Sequence, residues 1–111
     1  MSGGCSSNDV EPFALQVLGN DMMPEFEDGA IIIVDQSAPC GNGAYAVLEY
    51  EGEVTFRQYI ERDGKKFMHA LNSDEDDVEL VGKYIVRGVV IQKSFKRKVT
   101  HYEWSPVKNT H

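Results

Sequence analysis

Three β-forming runs stand almost end to end in the middle of this chain. "AYAVLEY" (44–50) leads to Glu51-Gly52, "EVTFRQYI" (53–60) follows, and Asp63-Gly64 separates it from "KKFMHAL" (65–71). Asp-Gly between such runs is a short-hairpin signal, because both residues accept positive φ. Runs so short and so regularly spaced suggest meandering antiparallel hairpins. The remaining segments agree. "FALQVL" (13–18) puts Phe13, Leu15 and Val17 on one face. "AIIIV" (30–34) is a continuous apolar run of mostly β-branched residues, which predicts a strand covered on both faces. "NSDEDDVE" (72–79) is an acidic loop, and "KYIVRGVVIQKSF" (83–95) is a long last strand in which Gly88 marks a bulge or bend. No stretch has the length and period of a helix; at most, Pro24 to Glu27 forms one helical turn. The expected fold is all-β, a small, partly closed barrel of antiparallel hairpins.

A length of 111 residues suits one domain, and 41% apolar residues supply a core. The expected division is a flexible, polar N-terminus (1–11), one domain (12–95) and a basic, aromatic C-terminal extension (96–111). No window approaches the ~20 apolar residues of a membrane span. The start, "MSGGCSSNDVEP", lacks the basic and apolar regions of a secretory signal, so the expected location is the cytoplasm, away from membranes. Cys5 and Cys40 form no metal-like pair, and His69, His101 and His111 are scattered, so neither a metal nor a cofactor is expected. Charge is uneven. Residues 1–91 carry seventeen acids and six bases, while residues 92–111 carry five bases and one acid, for a net charge of -7. An acidic body disfavours a phosphate backbone, and the short run "KSFKRK" alone is a weak footprint for one. Direct DNA binding is therefore not expected.

One turn stands apart. "GNDMMPEF" (19–26) places Gly19, Asn20, Asp21, Met22, Met23 and Pro24 between two strands, followed by Asp28-Gly29 and "AIIIVD". Gly19 lets the backbone leave the strand sharply, Pro24 fixes φ, and Met22 can fill a gap or form part of an apolar wall. This order resembles the serine–lysine autopeptidase domain of LexA-type repressors, related phage repressors and UmuD, which has a signal-peptidase-like fold. That family carries a G-x-S-M-x-P turn, a D-G and an apolar strand. "GNGAYAVLEYEGEVTFRQY" is similar to its N-G, acidic hairpin and E-V-T strand, and "HALNSDEDDVELVGKYIVRGVVI" to its L-x-N loop and closing G-x-V strand. The resemblance covers residues 13–91.

The resemblance also shows a departure. The family's nucleophilic serine corresponds to Asp21, and its lysine base, in E-V-T-x-K, to Arg57 of "EVTFR". A carboxylate attacks amides poorly, and a guanidinium stays protonated and cannot serve as a base. The turn is then vestigial, no catalytic pair is intact, and Asp21 and Arg57 are expected to meet as a bidentate ion pair that closes the former site. The family's cleavable Ala-Gly or Cys-Gly upstream of the domain, and its helix-turn-helix, have no counterpart in the sequence; Cys40-Gly41 falls inside the expected domain.

The favoured function is a non-catalytic dimerisation or regulatory module, resembling the C-terminal domain of the repressors, with a separately encoded DNA-binding or regulatory protein as a further partner. The alternatives are a serine-type peptidase using unusual residues and a nucleic-acid-associated regulator using the basic tail. A homodimer is expected through the last strand, taken as an exposed sheet edge that pairs with its own copy. Its interface would comprise Val86, Val89, Val90, Ile91 and Phe95, with Tyr102 and Trp104 packing across it.

Overall fold

The computed structural model of the protein describes residues 11–103. Its strands are β1 (Phe13–Gln16), β2 (Ile31–Asp35), β3 (Tyr45–Tyr50), β4 (Glu53–Arg62), β5 (Lys65–His69), β6 (Val78–Glu79), β7 (Ile85–Phe95) and β8 (Lys98–His101). Turn chemistry sets three of the hairpins. Glu51-Gly52, Asp63-Gly64 and Lys96-Arg97 each hold both residues at positive φ. Such turns carry the twist that flanking strands need. Residues 98–101 add a strand to the same sheet. The N-terminal residues 1–10, with Cys5, and residues 104–111, with Trp104 and His111, lie outside the described residues.

All ladders are antiparallel and belong to one sheet, ordered β1-β2-β7-β3-β4-β5-β6, with β8 added to β7. The sheet is open, which corrects the expectation of a partly closed barrel. Its terminal strands β1 and β6 do not pair with each other. Closure requires matched edges, but β1 has four residues and β6 only two, preceded by the acidic loop.

A second correction concerns β7, which lies inside the sheet. One side pairs with β2 through residues 89–94. The other pairs with β3 through 85–89 and with β8 through 92–95. Register shifts occur opposite Ile33/Val34 and Val47/Leu48, the second beside Gly88. A Cβ at Gly88 would lie 2.3 Å from Val34 Cγ1, so the approach of β2 demands glycine there.

Alternation along β7 divides two cores. Val90 joins Met22, Phe26, Ile32 and Val34 on one face. Val89 joins Ala44, Ala46 and Leu48 on the other, under Ala38 and Cys40. That second cover is local. β2 is accordingly buried only at alternate residues, with Ile32 and Val34 enclosed and Ile31 37% exposed, rather than covered on both faces as its apolar run predicted.

Candidate functional site

The turn after β1 is held from three directions. Gly19, at φ 89°, donates its N–H to Asp28 Oδ1 (2.7 Å). The Asn20 carbonyl accepts from Met23 N–H (3.2 Å) and from the Asn72 side-chain amide (2.9 Å), and the Asp21 carbonyl accepts from Asn72 N–H (2.8 Å). Phe26 N–H closes a helical turn onto the Met22 carbonyl (2.9 Å). The Met23-Pro24 peptide is cis. Met22 is buried against Phe26 in the main core, while Met23 is half-buried. Met22 also contributes to the wall of the neighbouring cleft, so it fills both roles open to it.

Arg57 reaches this turn from β4. Its guanidinium donates to the adjacent Phe56 carbonyl (2.8 Å), and its other terminal nitrogen lies 3.7 Å from Asp21 Oδ2. The two side chains meet, but through one long contact and not as a bidentate pair. Asp21 is 62% exposed and Arg57 26%. The contact is therefore a solvent-screened ion pair of small energetic worth. It leaves the surroundings open. A cleft of about 220 Å³ lies on one side, lined by Leu15, Val17, Leu18, Met22, Ile32 and Phe56 among others. On the other side, Asp21 and Arg57 face a hollow beneath the acidic loop, beside Ser73, Glu75 and Asp76. The ion pair stands between the two spaces. β1 borders the cleft and is paired only to β2, so its outer backbone edge is free among the described strands.

Asn72 is the residue whose role sequence reasoning missed. It ties the acidic loop to the turn through both backbone and side chain. The only local signal was Asn72 itself, directly after Leu71 where the chain enters the acidic loop, and nothing local indicates a partner 52 positions away. The other end of the loop is fixed by Asp77, which accepts from Arg62 (3.1 Å) and pairs with His69 Nδ1 (2.7 Å). Among the described residues no group of three or more His, Cys, Asp or Glu is placed to hold a metal ion. Burial and nearby Glu61 push the Cys40 thiol up to about 11, which suppresses the thiolate at neutral pH.

The residues named for a dimer are enclosed by their own chain to differing degrees. Val89 and Val90 are fully buried, and Val86, Ile91 and Phe95 are half-buried.

The Peptidase S24-like family model matches residues 2–91, a span that holds the turn, the cleft and both halves of the ion pair. The chain belongs to the Peptidase S24-like family. This Peptidase S24-like chain is 31% identical over 83 residues to the prophage repressor CohE of Escherichia coli, covering 71% of itself and 37% of that protein. It is 31% identical over 87 residues to the HTH-type transcriptional regulator for conjugative element SXT of Vibrio cholerae, covering 72% and 40%. It is 29% identical over 82 residues to the LexA repressor of Verrucomicrobium spinosum, covering 73% and 40%. The chain thus spans about two fifths of the length of these curated relatives. Among the described residues no helix is long and apolar enough to cross a membrane.

Proposed function

We propose that this Peptidase S24-like chain is a non-catalytic regulatory and dimerisation module whose peptidase site is vestigial. One observation carries the reading. The turn and strand that resemble the family's nucleophile and base bring together Asp21 and Arg57, 3.7 Å apart. Peptide hydrolysis by this fold's dyad needs a hydroxyl and an amine that can lose its proton. A carboxylate and a guanidinium supply neither. The relatives' names, repressor and transcriptional regulator, support a role in transcription. In that role DNA recognition would fall to a separate DNA-binding unit, and this domain would supply association or control.

The surface that suits a second copy is a sheet face, not a strand edge. By register and alternation, Ile31, Ile33, Gln92, Ser94, Val99 and His101 share the face opposite the main core. Ala14 and Gln16 of β1 extend it. No Asp, Glu, Lys or Arg stands among these eight positions, in a chain with 26% charged residues; Asp35, at the far end of β2 on the same face, accepts from Ser37 N–H and Oγ. Ile31 and Val99 are 37% and 51% exposed. Two acidic copies repel, and an uncharged face buries apolar area without desolvating an unpaired charge. This keeps the C-terminal strand in the interface through its outward side chains.

The catalytic part is tested by incubating pure protein from pH 7 to pH 9.5 and measuring intact mass. The expected mass does not change. A discrete fragment that accumulates with pH and disappears in Asp21→Ala would overturn the reading.

A further inference from the structure

We propose that the tip of the β7–β8 hairpin is a contact site for the phosphate backbone of a nucleic-acid duplex. The observation is a backbone one. Three two-residue turns in this protein place both residues at positive φ. Two are acid–Gly, at Glu51-Gly52 and Asp63-Gly64, as the geometry favours. The third is Lys96-Arg97, at φ 51° and 71°. A side chain with a Cβ is disfavoured in this region, and Asn or Asp offset that by bonding their own backbone. Lysine and arginine have no such compensation. The turn therefore accepts strain where Asn-Gly would remove it, and what the strained residues add is charge.

The surroundings leave that charge available. Lys96, Arg97 and Lys98 follow one another at the tip, and all are exposed. The ion pairs among the described residues involve Arg57, Arg62, His69, Arg87 and Lys93, and none involves the tip. On β7, Lys93 is committed inward, against the Glu25 carbonyl and the Glu27 carboxylate, and Arg87 is paired with Glu49. Between residues 92 and 103 the only acid is Glu103. The tip is thus a local reversal of sign on an acidic protein.

Its chemistry fits phosphate better than protein. A protein interface is anchored by an apolar or aromatic side chain at its centre. Here Phe95 is half-buried, and the Lys96 amine lies 5.4 Å from its ring centroid. What remains is an array of cations and N–H donors on a two-stranded ribbon, which meets the needs of backbone contact and enters a major groove without reading bases. The run of basic residues was a weak signal in the sequence; the turn geometry is the independent observation that adds to it.

The test is fluorescence anisotropy of a labelled 20-base-pair duplex, titrated with protein from low to moderate salt. Three phosphate contacts predict sequence-independent binding whose log K falls with log salt at a slope of about -2.7. Two variants are compared. Lys96→Asn/Arg97→Gly removes two charges and relieves the turn, so Tm should rise while affinity at about 50 mM salt falls at least roughly tenfold and the slope shrinks towards about -0.9. Lys96→Gln/Arg97→Gln removes the same charges but retains the strained turn, and should lose binding equally. Absence of wild-type binding at low salt overturns the proposal. So does unchanged affinity in either variant. A change in self-association without a change in duplex binding also overturns it, and assigns the tip to a protein contact.

Discussion

At the scale of single residues, the site proposed as vestigial depends on what Asp21 and Arg57 do for each other. Their contact is 3.7 Å long and Asp21 is 62% exposed, so water screens most of the attraction. Arg57 already has a partner in the Phe56 carbonyl. Asp21→Ala, Arg57→Ala and the double variant should therefore show a coupling of about 0.2–1 kcal/mol in urea unfolding. Strict additivity would mean that the pair contributes nothing. A coupling of several kcal/mol would mean that in solution it closes into the bidentate pair suggested by the sequence.

At the scale of elements, β7 decides the architecture. It pairs on both sides, and Val90 is wholly enclosed with Ile32 and Val34 beneath β2. Val90→Glu would bury an unpaired carboxylate. The expected result is loss of the cooperative unfolding transition and of the native β spectrum, not a folded monomer. A folded, soluble variant with wild-type circular dichroism would contradict the position of β7. β8 is bound into the same unit. Beyond it, Tyr102 N–H donates to the Ile91 carbonyl (2.9 Å), the Tyr102 hydroxyl donates to Glu25, and its ring packs against Phe26 and Tyr45. The segment after β7 thus helps to hold the turn that carries Asp21.

At the scale of the whole molecule, association and pH response come together. If the uncharged face joins two copies, Val99→Glu should shift the protein from dimer to monomer in sedimentation at about 50 µM, with an unchanged β spectrum. A monomeric wild type at that concentration would remove the dimer from the proposed function. Alkaline stability follows from the phenols. Burial, assisted by hydrogen bonds to Tyr84 and Glu61, raises the Tyr59 pKa. Burial and the hydrogen bond to Glu25 raise that of Tyr102. The unfolded chain loses these protons near pH 10 while the folded chain retains them. The phenols' contribution is therefore complete below about pH 10 and is lost progressively above it. Cys40, raised to about 11, acts in the same direction from about pH 9 upward. Tyr102→Phe should lower stability at neutral pH by about 1 kcal/mol through its lost hydrogen bond, and flatten the decline above pH 10. An equally steep decline in the variant would exclude Tyr102 as a source.

What the sequence determined is local. Asp63-Gly64 marked a hairpin, Gly88 marked an irregularity, and Gly19 to Pro24 marked a turn, because each depends on backbone chemistry within a few residues. Period-two alternation also identified residues that share a face, such as Phe13, Leu15 and Val17. Alternation does not say which strand lies next to which. Tertiary structure alone decided that β7 enters between β2 and β3, that β1 and β6 are left as open edges, and that Ile31 faces outward from an apolar run. It also decided the distance from Asp21 to Arg57, which lie 36 positions apart, and the attachment of Asn72 to their turn. Those contacts join distant segments, and their geometry is set by the packing of strands that no short window of sequence contains.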